Sequence, residues 1–99
     1  MNFKGQVAVV TGGATGIGRV IALKLAEKGA SVMIADINED AAAQTAYEAR
    51  EISGNSNSFV TDVTDLESCN ALVNGTVEEL GPADFLINNA GIAGSAGWQ

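Results

Sequence analysis

An α/β fold with a doubly wound parallel sheet is predicted by two regularities of the sequence. Short β-rich runs alternate with helical patterns, and a polar residue closes each β-rich run at intervals of 25 or 26 residues. Such an interval is about the length of one strand plus a crossover helix. We therefore expect a partial sheet of about four strands in the order 3-2-1-4, with right-handed crossovers and helices on both faces.

The elements are placed by apolar residues and by the glycines that end helices. The four strands are predicted at Val7–Val10, Val32–Ala35, Ser58–Thr61 and Phe85–Ile87. The first and third helices are indicated by apolar residues at helical spacing, and they are expected to stop at Gly29 and at Gly81-Pro82. Their predicted core stripes are Ile17, Val20, Ile21 and Leu25 in the first helix, and Leu66, Cys69, Leu72, Val73, Val77 and Leu80 in the third.

The helix between them, Asn38–Ser53, is predicted with a different character. It is rich in alanine and polar residues and only faintly amphipathic, so we expect it to be rather exposed.

Composition narrows the possible functions. The 99 residues are enough for one small domain, and 46% hydrophobic content with a net charge of −7 is typical of a globular protein. The acidic excess argues against nucleic acid or an anionic membrane as partner. Histidine is absent and Cys69 is the one cysteine, which disfavours a metal site and excludes an intrachain disulfide. Without a signal sequence or a run of membrane-spanning length, a cytoplasmic location is expected.

The stretch TGGATGIG, Thr11 to Gly18, connects the first strand to the first helix. Glycines at 12, 16 and 18 allow a tight turn, a close approach of backbone N–H groups to a ligand, and close packing of helix on strand. The first N–H groups of a helix have no internal partner, so a pyrophosphate can bind there without a lysine. No Gly-Lys-Ser/Thr follows, which excludes a Walker-type phosphate loop. An ordinary glycine-rich connection is the alternative interpretation.

Polar residues at the other strand ends favour a ligand. Ligands of open parallel sheets bind outside the carboxyl ends of the strands. At those ends the sequence places Thr11, Asp36, Asp62 and the pair Asn88-Asn89.

Two of these residues are predicted to hold an adenosine. Asp36 follows Gly18 by 18 residues, near the spacing at which an acid hydrogen-bonds the ribose hydroxyls. A carboxylate there disfavours a 2′-phosphate, because like charges about 4 Å apart cost on the order of 1–4 kcal/mol, and Ile37 supplies no cation. Asp62, with Val63 beside it, suits adenine. The alternatives are that Asp36 caps the next helix, and that Asp62 caps the last helix or faces water.

Three motifs in order resemble the short-chain dehydrogenases/reductases. TGGATGIG resembles the family's Thr-Gly-x-x-x-Gly-x-Gly motif, DVTD at 62–65 its adenine motif, and NNAG at 88–91 its second signature. The resemblance covers the whole chain and is greatest to the 3-oxoacyl-carrier-protein reductase type. It implies a Rossmann-type fold, NAD as cofactor, a small carbonyl or alcohol substrate in the complete enzyme, and a homo-oligomer.

The resemblance also implies roles for individual residues. The pyrophosphate would be lined by Gly12, Gly16, Ile17 and Gly18, the ribose bound by Asp36, adenine flanked by Asp62 and Val63, and the nicotinamide half contacted by Asn89, Ala90 and Gly91. In the family, Thr11 and the segment from Asn88 also brace the central strands, so a structural role for Asn88 stays open.

No catalytic residue is expected in this chain. The family's catalytic serine, Tyr-x-x-x-Lys pair and asparagine follow the NNAG motif, and no Tyr-x-x-x-Lys is present here. The single tyrosine, Tyr47, is followed by Glu51 at the lysine position and is expected to be a half-exposed helix residue, while Ser95 is interpreted as part of a substrate loop. Residues 1–99 are therefore interpreted as the N-terminal dinucleotide-binding part of a single Rossmann domain whose catalytic remainder is absent. A stand-alone NAD-binding module and an interaction protein with a decayed motif are the alternatives.

Overall fold

A parallel sheet forms the centre of the computed structural model, which describes residues 2–53 and 55–89. Strands and helices alternate along the chain as β1 (Val7–Thr11), α1 (Gly16–Glu27), β2 (Ser31–Asp36), α2 (Glu39–Ser53), β3 (Ser56–Val60), α3 (Leu66–Glu79) and β4 (Phe85–Asn88). The strand order within the described residues is β3-β2-β1-β4, and every neighbouring pair is parallel. The predicted order 3-2-1-4 is confirmed.

The strand register brings the carboxyl ends of all four strands to one edge of the sheet. Thr11, the last residue of β1, pairs with Ala35 on one side and with Asn88 on the other. Asp36 pairs with Val60 at the end of β3. The polar residues that the sequence places at strand ends therefore share one edge.

The third strand begins two residues earlier than predicted and ends one residue earlier, at Val60. Ser56 and Asn57 interrupt the apolar pattern, but strand pairing uses the backbone, which does not depend on side-chain hydropathy. The Ser56 hydroxyl also accepts a hydrogen bond from the N–H of Val32 at 3.0 Å, which ties β3 to β2.

Alternate residues of the central strands face two different helical layers. One face of the sheet packs with α1 and α2, and the other packs with α3. Strand residues of the first face are Val10, Val32 and Ile34. Strand residues of the second face are Val9, Met33 and Ala35. Helices therefore cover both faces, as predicted.

The predicted core stripe of α1 is wrong at its amino-terminal end. Ile17 is 72% exposed, whereas the buried residues of the helix are Gly18, Ala22 and Ala26. These small residues recur every four positions and let the helix backbone lie close to the sheet, while Ile17 and Val20 are exposed and Ile21 and Leu25 pack only partly against the core.

The stripe of α3 is also buried only in part. Leu72 is buried as expected, but Leu66, Val73 and Val77 are exposed. The helix approaches β3 through Gly75, whose added Cβ would collide with the Phe59 ring. Close packing at a glycine thus decides which side of α3 meets the sheet.

The expectation that the middle helix is rather exposed is also wrong for one of its faces. Its alanines and a threonine pack on the sheet and on α1 rather than facing water. These buried residues are Ala42, Thr45, Ala46 and Ala49. Small side chains give a weak amphipathic signal but allow close helix packing.

Both predicted glycine stops end their helices. Gly29 has φ +97° and Gly81 has φ +109°, a left-handed conformation that favours glycine. The Gly81 N–H donates to the Thr76 carbonyl at 3.0 Å and so satisfies one of the last carbonyls of α3.

Candidate functional site

The loop between β1 and α1 is shaped by its glycines. Gly12 and Gly16 have φ of +67° and +58°, a backbone conformation that residues with a side chain rarely adopt. Gly18 lies so close to the Gly12 carbonyl that an added Cβ would overlap its oxygen. All three predicted glycine positions are therefore required by the backbone, two by conformation and one by space.

The amino terminus of α1 is open toward this loop. Thr15 precedes the helix in an extended conformation and makes no side-chain cap, and the first turn carries no acidic residue. The first N–H groups of α1 are therefore left for another acceptor at the positive end of the helix dipole. Ile17, predicted to line a pyrophosphate, is exposed on this turn.

Asp36, at the end of β2, contacts both the loop and the chain entering α2. Its Oδ2 accepts a hydrogen bond from the Ala14 N–H at 3.1 Å, and its Oδ1 accepts one from the Asn38 N–H at 3.0 Å. The cap of α2 is made by Asn38, whose Oδ1 accepts from the Ala41 N–H at 3.1 Å. The alternative that Asp36 itself caps α2 is therefore wrong.

Asp62 forms a turn just before α3. Its Oδ1 accepts hydrogen bonds from the Thr64 hydroxyl at 2.6 Å and the Thr64 N–H at 2.9 Å. The hydroxyl bond, followed by the N–H bond, lowers the pKa of the Asp62 carboxyl below its usual value. Its Oδ2 has no hydrogen-bond partner among residues 2–53 and 55–89.

A cleft of about 130 Å³ lies at this edge of the sheet. Asp36, Asp62 and Val63 line it together with Gly12, so the fold brings the predicted ribose and adenine residues to one place beside the loop. The remaining lining residues are Ala35, Ile37 and Thr61.

A polar network joins β1 to the end of β4. The Thr11 hydroxyl donates to Asn88 Oδ1 at 2.9 Å and accepts from the Asn89 N–H at 3.0 Å. The Asn89 side-chain amide donates to the Gly12 carbonyl at 3.2 Å. Asn89 thus contacts the loop, and Asn88 makes the contact with Thr11 that braces β1 against β4. Ala90, Gly91 and Ser95, which carry other predictions, lie outside the described residues.

A second and larger cleft, of about 310 Å³, lies between α3 and the β1–β4 pair. Its walls are mostly aliphatic, with Leu72, Val73, Val77 and Leu86 among them. Few polar groups converge there, whereas the smaller cleft combines two carboxylates with a glycine loop. The smaller cleft is therefore the better candidate for recognising a polar ligand.

One residue of the site was missed by sequence reasoning. Thr45, in the middle of α2, donates its hydroxyl hydrogen to the Ala14 carbonyl at 3.1 Å. The sequence did offer a signal for Thr45. Threonine is not favoured inside helices, so a polar β-branched residue among the alanines of α2 indicates a specific contact.

Arg19, the basic residue that follows the last loop glycine, is paired with a carboxylate of α2. The Arg19 guanidinium donates to Glu48 Oε1, and Glu48 Oε2 accepts from the Gln44 side-chain amide at 2.9 Å. The Gln44 hydrogen bond and then the Arg19 charge lower the pKa of the Glu48 carboxyl.

No group of three or more metal-ligating side chains occurs in residues 2–53 and 55–89. Tyr47 lies on α2 and is 53% exposed, as expected. Across the same ranges, no helix combines the length and the hydropathy needed to cross a bilayer.

Comparison with known proteins shows one consistent family. The family model described as short chain dehydrogenase matches residues 6–98. The 7alpha-hydroxysteroid dehydrogenase of Escherichia coli K12 is 37% identical over 94 residues, which are 95% of this chain and 37% of that protein. The 3-oxoacyl-[acyl-carrier-protein] reductase of Thermotoga maritima is 35% identical over 96 residues, 97% of this chain and 39% of that protein.

A solved structure agrees with these relatives. The crystal structure of NAD+-bound xylitol dehydrogenase superposes with a TM-score of 0.82 at 36% identity, over 87% of this chain and 33% of that one. The chain thus spans well under half the length of the proteins it matches.

Proposed function

This chain belongs to the short-chain dehydrogenase family, and from that premise we propose that it binds NAD(H) for hydride transfer between the nicotinamide and a carbonyl or alcohol substrate. Within such an enzyme, residues 1–99 form the N-terminal dinucleotide-binding part of one Rossmann domain. A stand-alone NAD-binding module is not favoured, because the relatives named above are oxidoreductases.

The observation that carries the proposal is the cleft shared by Asp36, Asp62, Val63 and Gly12. A carboxylate at the end of β2 can accept hydrogen bonds from both ribose hydroxyls. Asp62 Oδ2 can accept from an adenine amino group, and Val63 offers an apolar contact. The adenosine half of NAD therefore fits the side chains that meet here.

The loop suits the pyrophosphate that follows the adenosine. Gly12 and Gly16 expose backbone, the first turn of α1 presents N–H donors, and no acidic residue opposes an anion there. Because Gly18 has no side chain, the first turn of α1 can lie directly against the Gly12 carbonyl of the loop. Asn89 holds the Gly12 carbonyl, and we propose that Asn89, Ala90 and Gly91 border the nicotinamide half.

NAD is proposed over NADP on electrostatic grounds. A 2′-phosphate would lie beside the Asp36 carboxylate, and Ile37 supplies no cation to offset the repulsion. The Arg19 guanidinium is already paired with Glu48 on α2.

When bound, NAD supplies the hydride donor or acceptor, and this chain supplies the groups that bind and orient it. We assign no catalytic residue to residues 1–99. The proton donor would come from a Tyr-x-x-x-Lys pair elsewhere in the complete enzyme.

The finer assignments are also proposals. The relatives' names include a hydroxysteroid dehydrogenase and a 3-oxoacyl-[acyl-carrier-protein] reductase, and we propose the latter type for this chain from its motifs. We also propose a cytoplasmic location. We also propose a homo-oligomer, as the family resemblance implies.

Calorimetric titration of the purified protein with NAD, NADP and ADP-ribose tests the proposal. We expect NAD to bind about tenfold or more tightly than NADP, a difference of about 1.4 kcal/mol or more. For the variant Asp36→Ala, the matched control is Asp40→Ala, because Asp40 is an exposed acid in the first turn of α2 that lies outside the cleft. Absence of binding by any dinucleotide would contradict the proposal.

A further inference from the structure

We infer that Thr45 is a positioning residue for the dinucleotide, holding the phosphate loop in its binding shape through the Ala14 carbonyl. The inference rests on the proposed function, because it names a further residue that serves the same site.

The Thr45 hydroxyl makes an unusual choice of partner for a helical threonine. A threonine inside a helix commonly donates to the carbonyl four residues earlier in the same helix. Thr76 of α3 does this, donating to Leu72 at 2.8 Å. Thr45 is equally buried, at 1% exposed, but donates instead to Ala14 of the loop, 31 residues away.

Ala14 is consequently held on both sides of its backbone. Its N–H donates to Asp36 Oδ2 at 3.1 Å and its carbonyl accepts from Thr45 at 3.1 Å. Ala14 is 4% exposed, so water has little access to replace either partner. A buried carbonyl that loses its partner is costly, which gives the Thr45 contact its importance.

The position of Ala14 in the loop makes this hold relevant to the ligand. It lies between Gly12 and Gly16, which both adopt positive φ. Groups outside the loop must therefore select one loop conformation. A loop ordered before binding loses less conformational entropy when the pyrophosphate arrives.

The Asp36 contact also links two halves of the ligand site. The same carboxylate is proposed to bind ribose and accepts the Ala14 N–H, so ribose recognition and loop shape share one group. Thr45 completes the hold from the opposite side without touching the ligand cleft.

The test replaces the hydroxyl with a methyl group of nearly the same shape. Thr45→Val in the protein that contains this chain should weaken NAD and ADP-ribose binding about tenfold, equivalent to about 1.4 kcal/mol. Binding of adenosine, which lacks the pyrophosphate, should change by less than about twofold, and Thr45→Ser should restore NAD binding. Exchange of the Ala14 amide in the ligand-free protein, followed by NMR, should become faster in Thr45→Val.

Thr76→Val is the matched control, because it removes an equally buried threonine hydroxyl whose hydrogen bond stays within its own helix. It should lower Tm and leave NAD affinity unchanged. If Thr45→Val does not fold, Thr45→Ala, which favours the helix more, takes its place with Thr76→Ala beside it.

Four results would overturn the inference. Equal NAD affinities for Thr45→Val and the unaltered protein would overturn it alone and leave the proposed function standing. Equal losses for NAD and adenosine, or failure of Thr45→Ser to restore binding, would reduce Thr45 to a role in stability. No NAD binding by the unaltered protein would overturn the proposed function together with this inference.

Discussion

Gly18 on the first turn of α1 lies against the carbonyl oxygen of Gly12, with no room for a Cβ atom between them. The same added Cβ would stand 2.7 Å from the Asn89 side-chain nitrogen. Both neighbours belong to the network that joins β1 to the end of β4. The Gly12 carbonyl is part of the backbone and cannot move aside at little cost.

Gly18→Ala is therefore expected to displace the loop. We predict at least a tenfold loss of NAD affinity, about 1.4 kcal/mol, and a loss of stability of about 1–3 kcal/mol from overpacking. Calorimetric titration and thermal unfolding measure the two effects. Gly5→Ala is the control, because Gly5 has φ +83° but open space around it, so stability should fall while NAD affinity stays unchanged. Normal NAD binding by Gly18→Ala would contradict the proposed loop geometry.

Asp36→Ala tests the origin of cofactor preference. Removing the carboxylate removes its repulsion of a 2′-phosphate, so the ratio of NADP to NAD affinity should rise about tenfold or more. NAD affinity itself should fall, because the ribose and the Ala14 N–H both lose an acceptor. Parallel titrations with NAD and NADP give the ratio. The electrostatic explanation fails if the unaltered protein already binds NADP tenfold more tightly than NAD.

Arg19→Ala should leave the cofactor preference unchanged. The Arg19 guanidinium is engaged by Glu48, which is itself held by Gln44 at 2.9 Å. We expect the NAD to NADP affinity ratio to change less than about twofold and the free energy of unfolding by less than about 1 kcal/mol, as for other partly exposed ion pairs. A selective loss of NADP affinity would show that Arg19 reaches the 2′ position after all.

The Asp62 carboxyl should titrate below its ordinary pKa of 3.8, because Thr64 hydrogen-bonds its charged form. A carboxyl with a lowered pKa in the folded state stabilises the fold above its unfolded-state pKa, and that contribution is lost as pH falls through the folded-state pKa. NMR titration of the Asp62 side chain measures the value. Thr64→Val should raise this pKa and Thr64→Ser should preserve it, and an unchanged pKa in Thr64→Val would refute the assignment.

Tyr47→Phe should not affect turnover by the complete enzyme. Tyr47 is 53% exposed on α2 and does not line the cleft of Asp36 and Asp62. The measurement is the rate of NADH oxidation with a panel of ketones. General acid–base groups contribute about 10² to 10⁴ in rate, so a loss of that size in Tyr47→Phe would make Tyr47 a catalytic residue and our assignment wrong.

Much of the candidate site was predictable because it depends on local backbone chemistry and on strand ends. Positive φ at positions 12 and 16 favours glycine, and tolerance of positive φ is a property of the glycine residue itself. Parallel strands align their carboxyl ends, so Asp36 and Asp62 could be placed at one edge from their spacing alone. The sheet order followed from the same alternation of strands and helices.

The sequence by itself thus determined the element order, the loop and the polar edge of the sheet, whereas the tertiary structure decided which helix faces are buried. Periodicity selects residues that share a face, but Ile17 and Gly18 belong to stripes of the same period. Only the close approach of helix and sheet favours the small residues, leaving Ile17 72% exposed. The Thr45 contact with Ala14 spans 31 residues, and its partner is set by how α2 packs beside the loop. No local preference encodes such a contact, because it exists only after the helices have packed on the sheet.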